Sequence, residues 1–318
     1  MKSLHPSNNK PMRLDKYLME QFPTLNLGTL NKALRQNKIK VNGKKQPLST
    51  RVGAGDEIKL FLLDEMLYGC NEQKQQPLFL QTSYSITPIY EDEFVLLVNK
   101  PAGVPVADDS TADTLIHRAQ RYLYLQNKWN PDTDDTPALC HRLDTGTSGL
   151  VIIAKTAAAE QQLLKLIREH RLKKQYLCVT FGRPNPPQAV LNGYLYKDAQ
   201  QGKVYIATTA GTGAKSVETH YKTIHTSGRL ALLEVNLITG RTHQIRAHMA
   251  SIRCPVLGDS KYGNNTVNRE LKIKYQALCA WKLTFPALES KELAGLSGKT
   301  FTVEKPWWVQ QVLDGTLH

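Results

Sequence analysis

The chain is expected to be an α+β protein, with a largely antiparallel sheet and interspersed helices behind a small N-terminal α/β module. Three observations carry this. Strand-type segments dominate after residue 85, and no regular βαβα alternation occurs. QYLCVTFG alternates strictly, with Tyr176, Cys178 and Thr180 on one face and Leu177, Val179 and Phe181 on the other. Basic residues crowd the start: residues 1–62 hold 12 Lys and Arg against 4 Asp and Glu, a net charge of +8 out of +13 for all 318 residues.

Residues 1–11 read as a flexible polar arm. Leu14, Tyr17, Leu18 and Phe22 fall at helical spacing. A second short helix is expected from Leu30 to Asn37, with Ala33 and Leu34 inward and Lys32, Arg35 and Lys38 outward. In IKVNGKK, Ile39 and Val41 alternate. Asn42-Gly43 is a hairpin-type turn, because both residues tolerate positive φ, and Lys44 follows it. Val52, Ile58 and Leu60 continue as strand around the turn GAGDE. Charge this concentrated on a compact helix–helix–hairpin unit favours a nucleic-acid-binding module over a merely solvated surface.

Residues 63–84 lack periodicity and read as a linker. A second domain then runs from 85 to 318. Phe94 to Val98 is a buried-type strand, and Lys100-Pro101-Ala102-Gly103 a turn. Thr111 to Gln126 reads as a helix and Asn127 to Pro137 as a polar loop. Leu150 to Ala154 is another strand. Ala157 to His170 is a helix with Leu163, Leu164 and Ile167 inward. Strands follow at Val204 to Thr208, Val217 to Ile224 and Leu230 to Leu237.

The basic balance points to a polyanionic partner. No apolar run approaches the roughly 20 residues of a membrane span, and the N-terminus lacks the apolar core of a signal peptide. Cytoplasmic nucleic acid is therefore favoured over a membrane surface. The five cysteines, 70, 140, 178, 254 and 279, are odd in number, widely spaced and without C-x-x-C. This fits reduced thiols, and neither a disulfide framework nor a zinc cage. His243 and His248 are five apart, not the i, i+4 pairing that shares a metal. No Walker loop or dinucleotide fingerprint is present, so neither metal nor nucleotide cofactor is expected.

Three segments are chemically loaded. HRLDTGTSG places Asp144 two residues after Arg142. Read locally, Asp144 is a nucleophile, a base or a turn aspartate, and local sequence favours the last. KKQYLCV holds Lys173, Lys174 and Tyr176. Tyr176 is either a core aromatic or a cleft-facing ring that stacks on a nucleobase or moves a proton. TGRTHQIRAHMA and the residues after it hold Arg241, His243, Gln244, Arg246, His248 and Arg253. So many cations need a carboxylate or phosphate. An Arg meeting Asp144 would keep it ionised and fix its oxygens bidentately, the state of a nucleophile or base.

With IYEDEFVLLVNKPAGVPV and PVLGDSKYG, these segments, in this order, resemble the RluA-type pseudouridine synthases over roughly residues 85–290. RLDKYL, the basic helix, VNGK and VGAGDEI resemble the small αL RNA-binding domain named after ribosomal protein S-four, over residues 12–62. The resemblance implies a catalytic domain with a central cleft that isomerises uridines in RNA, with no cofactor because one substrate is rearranged. It implies Asp144 as nucleophile or general base and Arg246 as its salt-bridge partner. Tyr176 would pack on the base or take the proton from ring carbon 5, and Arg142 would fill the gap left by a flipped uridine. Arg241, His243 and Gln244 would line the substrate site. Lys32, Arg35, Lys38 and Lys44 would contact RNA. Large-subunit ribosomal RNA is the expected substrate. Transfer RNA, or a ribosome-associated factor without activity, are the alternatives, and a monomer is expected. Cys178, Arg253-Cys254 and Cys279 depart from the family's usual residues.

Overall fold

The computed structural model describes every residue except 1, 8–9, 64–65, 68–75, 84–85 and 109–110. Cys70 lies outside the described residues; the other four cysteines are buried and free. The chain divides into two compact units, Met1–Pro77 and Leu78–His318.

In the first unit, β1 (Lys2–Leu4), β5 (Ile58–Leu60) and β3 (Ile39–Val41) form one antiparallel sheet in that order. β2 (Met12–Arg13) pairs with β4 (Arg51–Val52). The start of the chain is thus no free arm: Lys2–Leu4 adds an edge strand, and its three residues are too few to show a period. Helix α1 (Leu14–Gln21) buries Leu14, Tyr17 and Leu18. Helix α2 (Leu27–Arg35) starts three residues before the expected Leu30, because the Asn26 side chain accepts the Thr29 amide and caps it. It buries Leu30 and Ala33 and leaves Leu34 half-buried. Asn42 and Gly43 do turn the chain with φ of 50° and 78°. But only the Val41–Lys44 bridge closes there; the ladder partner of β3 is β5.

The second unit begins inside the stretch expected to be linker. A short helix α3 (Leu78–Gln81) buries Phe79 against Trp129, and buried Thr82 donates to Asp113. Its strands are β6 (Pro88–Glu91), β7 (Val95–Lys100), β8 (Ala138–Leu139), β9 (Ser148–Ala154), β10 (Lys173–Phe181) and β11 (Gln188–Asp198). They continue with β12 (Lys203–Ala207), β13 (Lys215–Ser227), β14 (Leu230–Leu237), β15 (Leu278–Thr284) and β16 (Thr300–Thr302). The main sheet runs β12-β11-β13-β14-β10-β15-β9-β7-β6, with β8 beside β9 and β16 beside β15. Every pairing is antiparallel except β15 with β9.

The alternation read in β10 sorts its side chains between two cores. Leu177 and Val179 join Ile152, Leu163 and the C-terminal Trp308. Tyr176 and Cys178 join Val151, Val235, Leu115 and Met249. Helices α4 (Leu115–Leu125) and α5 (Ala157–Arg168) start at Thr114 and Thr156, whose side chains accept from the third following amide. α5 turns Ala159, Leu163 and Leu166 inward, so Leu164, expected inside, faces solvent at 38% exposure. Between β14 and β15 lie helices α6 (Gln244–Ser251) and α7 (Asn265–Glu270). The chain ends in α8 (Trp307–Leu313).

Candidate active site

Asp144 sits in the loop between β8 and β9. The Thr147 amide donates to its backbone carbonyl, closing a turn. The next carbonyl, of Thr145, accepts from the Gly103 amide and from the Lys100 ammonium at 3.0 Å. Lys100 is fully buried and also donates to the carbonyls of Pro101 and Val104. Burial pushes this amine down to about 8, with the Asp144 charge opposing. The loop is thus tied down on the turn after β7. On its far side, Gly149 has φ 115° and faces β15, where a side chain would strike the backbone of Ala280. The TSG sequence is therefore the means of bringing β9 alongside β15.

Arg246 comes from the first turn of α6. Its Nη1 donates to Asp144 Oδ2 at 2.6 Å. Its Nε and Nη2 donate to Asp259 Oδ2 and Oδ1 at 2.6 and 2.9 Å. The bidentate carboxylate expected at Asp144 is therefore Asp259, which is fully buried and also accepts the Lys261 and Tyr262 amides. Burial alone would raise Asp259, but Arg246 and these amides hold it below the usual carboxylate range. Burial also opposes the charge on Arg246, and the two carboxylates more than offset it. The guanidinium lies over the Tyr262 ring, 5.2 Å from its centre. Asp144 keeps 23% of its side chain exposed, and among the described residues its Oδ1 accepts no hydrogen bond.

A cavity of about 470 Å³ opens at this carboxylate. Tyr176, Arg142, Arg241 and His243 line it with Asp144 and Arg246. The β10–β15 register shifts between Gln175 and Leu177, next to Tyr176, a bulge of the kind that re-aims a side chain. Burial, and then the Asp144 charge, push the Tyr176 phenol up, so it is protonated at neutral pH. His243 caps α6 with φ 53°; its Nε2 lies 4.0 Å from Asp144 Oδ2 and its Nδ1 shares a hydrogen bond with Tyr262. Burial lowers its pKa, with Asp144 opposing. Arg142 and Arg241 are exposed at the cavity and make no ion pair among the described residues.

Gln244 also lines the cavity, but the protein occupies its amide. Its oxygen accepts from Thr239 Oγ1 and the Arg241 amide, and its nitrogen donates to the Glu218 carbonyl and Thr219 Oγ1. It holds the loop that presents Arg241 and His243. Asp259, Lys100 and Tyr262 were not singled out in the sequence. The signal for Asp259 was present in PVLGDSKYG, a carboxylate close in sequence to an arginine cluster that needs one.

A model of the RNA pseudouridylate synthase family matches residues 94–251. A ribosomal large subunit pseudouridine synthase C of Rickettsia bellii is 36% identical over 81% of this chain and 85% of that protein. The chain belongs to the RNA pseudouridylate synthase family. The synthase is also 31% identical, over 98% of its length and 97% of the other, to an uncharacterized RNA pseudouridine synthase of Mycoplasma pneumoniae. The solved human RNA pseudouridylate synthase domain containing 4 shares the fold, with a TM-score of 0.57 and 22% identity over 75% of this chain and 95% of that one. The synthase is thus an isomerase acting on uridine in RNA, of the RluA type that its motifs resemble. No helix among the described residues is long and apolar enough to cross a membrane.

Proposed function

We propose that this synthase isomerises selected uridines of large-subunit ribosomal RNA, in the cytoplasm and as a monomer, with Asp144 as the nucleophile or general base. One observation carries the assignment: Arg246 holds one oxygen of Asp144, the other accepts no hydrogen bond among the described residues, and the side chain lines the cavity with Tyr176. The Arg246 hydrogen bond fixes the orientation of the carboxylate, and Asp259 keeps Arg246 from rotating away. A uridine inside a helix must be extruded to reach Oδ1, which costs a few kcal/mol. Phosphate contacts and stacking on Tyr176 offset that cost. Burial, and then the Asp144 charge, oppose ionisation of Tyr176. Once Asp144 has bonded to the substrate or taken a proton, the second of these ends while burial remains, and the phenol becomes a better proton-transfer group. Arg142, exposed and without an ion pair among the described residues, takes the place of the extruded base.

The name borne by the Rickettsia relatives favours ribosomal RNA. The first unit supports RNA binding: Lys32, Arg35 and Lys44 are exposed, Lys38 is half-buried, and none is in an ion pair among the described residues. The test is pseudouridine mapping of total RNA from a deletion strain complemented with wild type or Asp144→Asn. Wild type alone should restore the modification in large-subunit RNA. Restoration only in transfer RNA would refute the substrate. Equal restoration by both proteins would refute the role of Asp144.

A further inference from the structure

The cavity holds far more positive charge than the chemistry at Asp144 requires. Its lining includes Arg142, Arg168, Lys174, Arg241 and Arg246, against the single carboxylate of Asp144. Arg246 is neutralised by Asp144 and Asp259. The group that stands out among the rest is Lys174. It lies two residues before Tyr176 on β10, and both side chains line the cavity. Its ammonium rests against the Thr239–His243 loop, 3.3 Å from where a side-chain carbon on Gly240 would stand. It is half-buried, yet among the described residues it makes no hydrogen bond and no ion pair. Lys100 shows the contrast: fully buried, it spends all three protons on carbonyl oxygens. Lys100 is a structural strut. Lys174 is a partly desolvated cation that meets no acceptor among the described residues.

We propose that Lys174 receives a backbone phosphate of the RNA next to the extruded uridine, with His141 beside it and Arg168 and His170 at the rim of the same cavity. This deepens the assignment of Asp144 and rests on it. His141 accepts the Ile152 amide at its Nε2, so its neutral ring carries the proton on Nδ1 as a donor. Burial and the neighbouring Lys174 push His141 down to about 4, so at neutral pH the charge stays on the lysine. Burial lowers Lys174 as well, and a bound phosphate would reverse that. A nucleotide turned out of its helix carries its flanking phosphates toward the cleft. A cation in the same cavity as Asp144, on the strand of Tyr176, fixes how far the nucleotide enters.

The experiment uses the full chain and a synthetic stem-loop of whichever RNA the protein modifies in the cell, so an error about ribosomal RNA leaves it standing. Lys174→Gln and Lys174→Arg are compared with wild type. Each phosphate flanking the target is replaced in turn by a neutral methylphosphonate. Lys174→Gln should raise KM roughly tenfold and lower kcat less. It should flatten the plot of log affinity against log salt by about 0.7–0.9, the slope for one phosphate contact. Lys174→Arg should restore most of both. One methylphosphonate should weaken the wild type as much as Lys174→Gln does and cost that variant nothing more. Without RNA, Lys174→Gln should melt no lower than wild type, which a structural lysine would not allow. Penalties that add at every phosphate would overturn the proposal. So would a loss confined to kcat with the salt slope intact, which would put Lys174 in the chemistry. Inorganic phosphate competing equally with wild type and Lys174→Gln would place the anion elsewhere. Loss of pseudouridine in Asp144→Asn, scored in parallel, tests the catalytic reading separately.

Discussion

Arg246 makes three hydrogen bonds to two carboxylates, and only one of them reaches Asp144, the proposed nucleophile or base. The Asp259 pair therefore decides where that one points. Asp259→Asn would keep one acceptor oxygen and set an amide N–H₂ against the guanidinium. Breaking one partner of a buried pair costs about 3–5 kcal/mol, and a unit of this size would melt roughly 10 °C lower. We expect kcat to fall at least tenfold while affinity for RNA changes little. Asp144→Asn, at a partly exposed carboxylate, should abolish turnover with a much smaller change in melting. Equal stabilities of the two variants by thermal denaturation would mean that Asp259 does not hold the arginine. Local sequence left Asp144 and Tyr176 open; the ordered motifs of the family resemblance put them with Arg246, and the three line one cavity. Asp259 was not legible, because its meaning lies in a contact across 13 residues of turn and loop. The hydrogen bonds that occupy the Gln244 amide were hidden for the same reason: its partners Glu218 and Thr219 belong to β13.

The elements that period-2 patterns mark were the legible ones. β10, with both cores behind it, is plain in QYLCVTFG. β11 was missed, although it spans Gln188–Asp198, because its side chains are mostly half-exposed or exposed and Gly193 breaks the alternation. The α5 face was ambiguous since Leu163, Leu164, Leu166 and Ile167 offer two apolar stripes, and only packing chooses. The short helix Leu78–Gln81 was lost inside a Gln-rich stretch. Phe79 packs on Tyr124 and Trp129, and Arg121 donates to the Leu80 carbonyl. This sets the place to cut. A chain starting at residue 78 should fold, keep pseudouridine formation on a minimal stem-loop, and bind RNA more weakly with a flatter salt dependence. A chain starting at residue 85 exposes the Phe79 site and unpairs Asp113 from Thr82. It should lose about 3–5 kcal/mol, the usual cost of deleting a buried Phe. Equal urea midpoints for the two truncations would show that α3 is linker after all.

At the scale of the molecule, charge and buried histidines make acid the first threat to the fold. His248 is 1% exposed on α6, and burial lowers it from 6.5 to about 4. His141 is lowered in the same direction. A histidine held neutral in the folded state takes up its proton first in the unfolded chain. Its contribution is therefore complete above about pH 6.5 and is lost as pH falls toward 4. For His248 alone this amounts to a loss of about 3 kcal/mol, against a typical domain stability of about 5–15 kcal/mol. Asp259, Asp113 and Glu91 are held low by cations, so their contributions persist through this window and disappear below it. Each proton gained also adds to a chain already at +13. All four tryptophans, 129, 281, 307 and 308, lie in the second unit, so their fluorescence follows that unit alone. The urea midpoint read this way should fall steadily from pH 6.5 to 4.5. His248→Gln should flatten the fall, since glutamine can still bond Thr219 and has no proton to gain. A midpoint constant down to pH 4.5 would mean that His248 titrates normally and that the site near Thr219 is open to water.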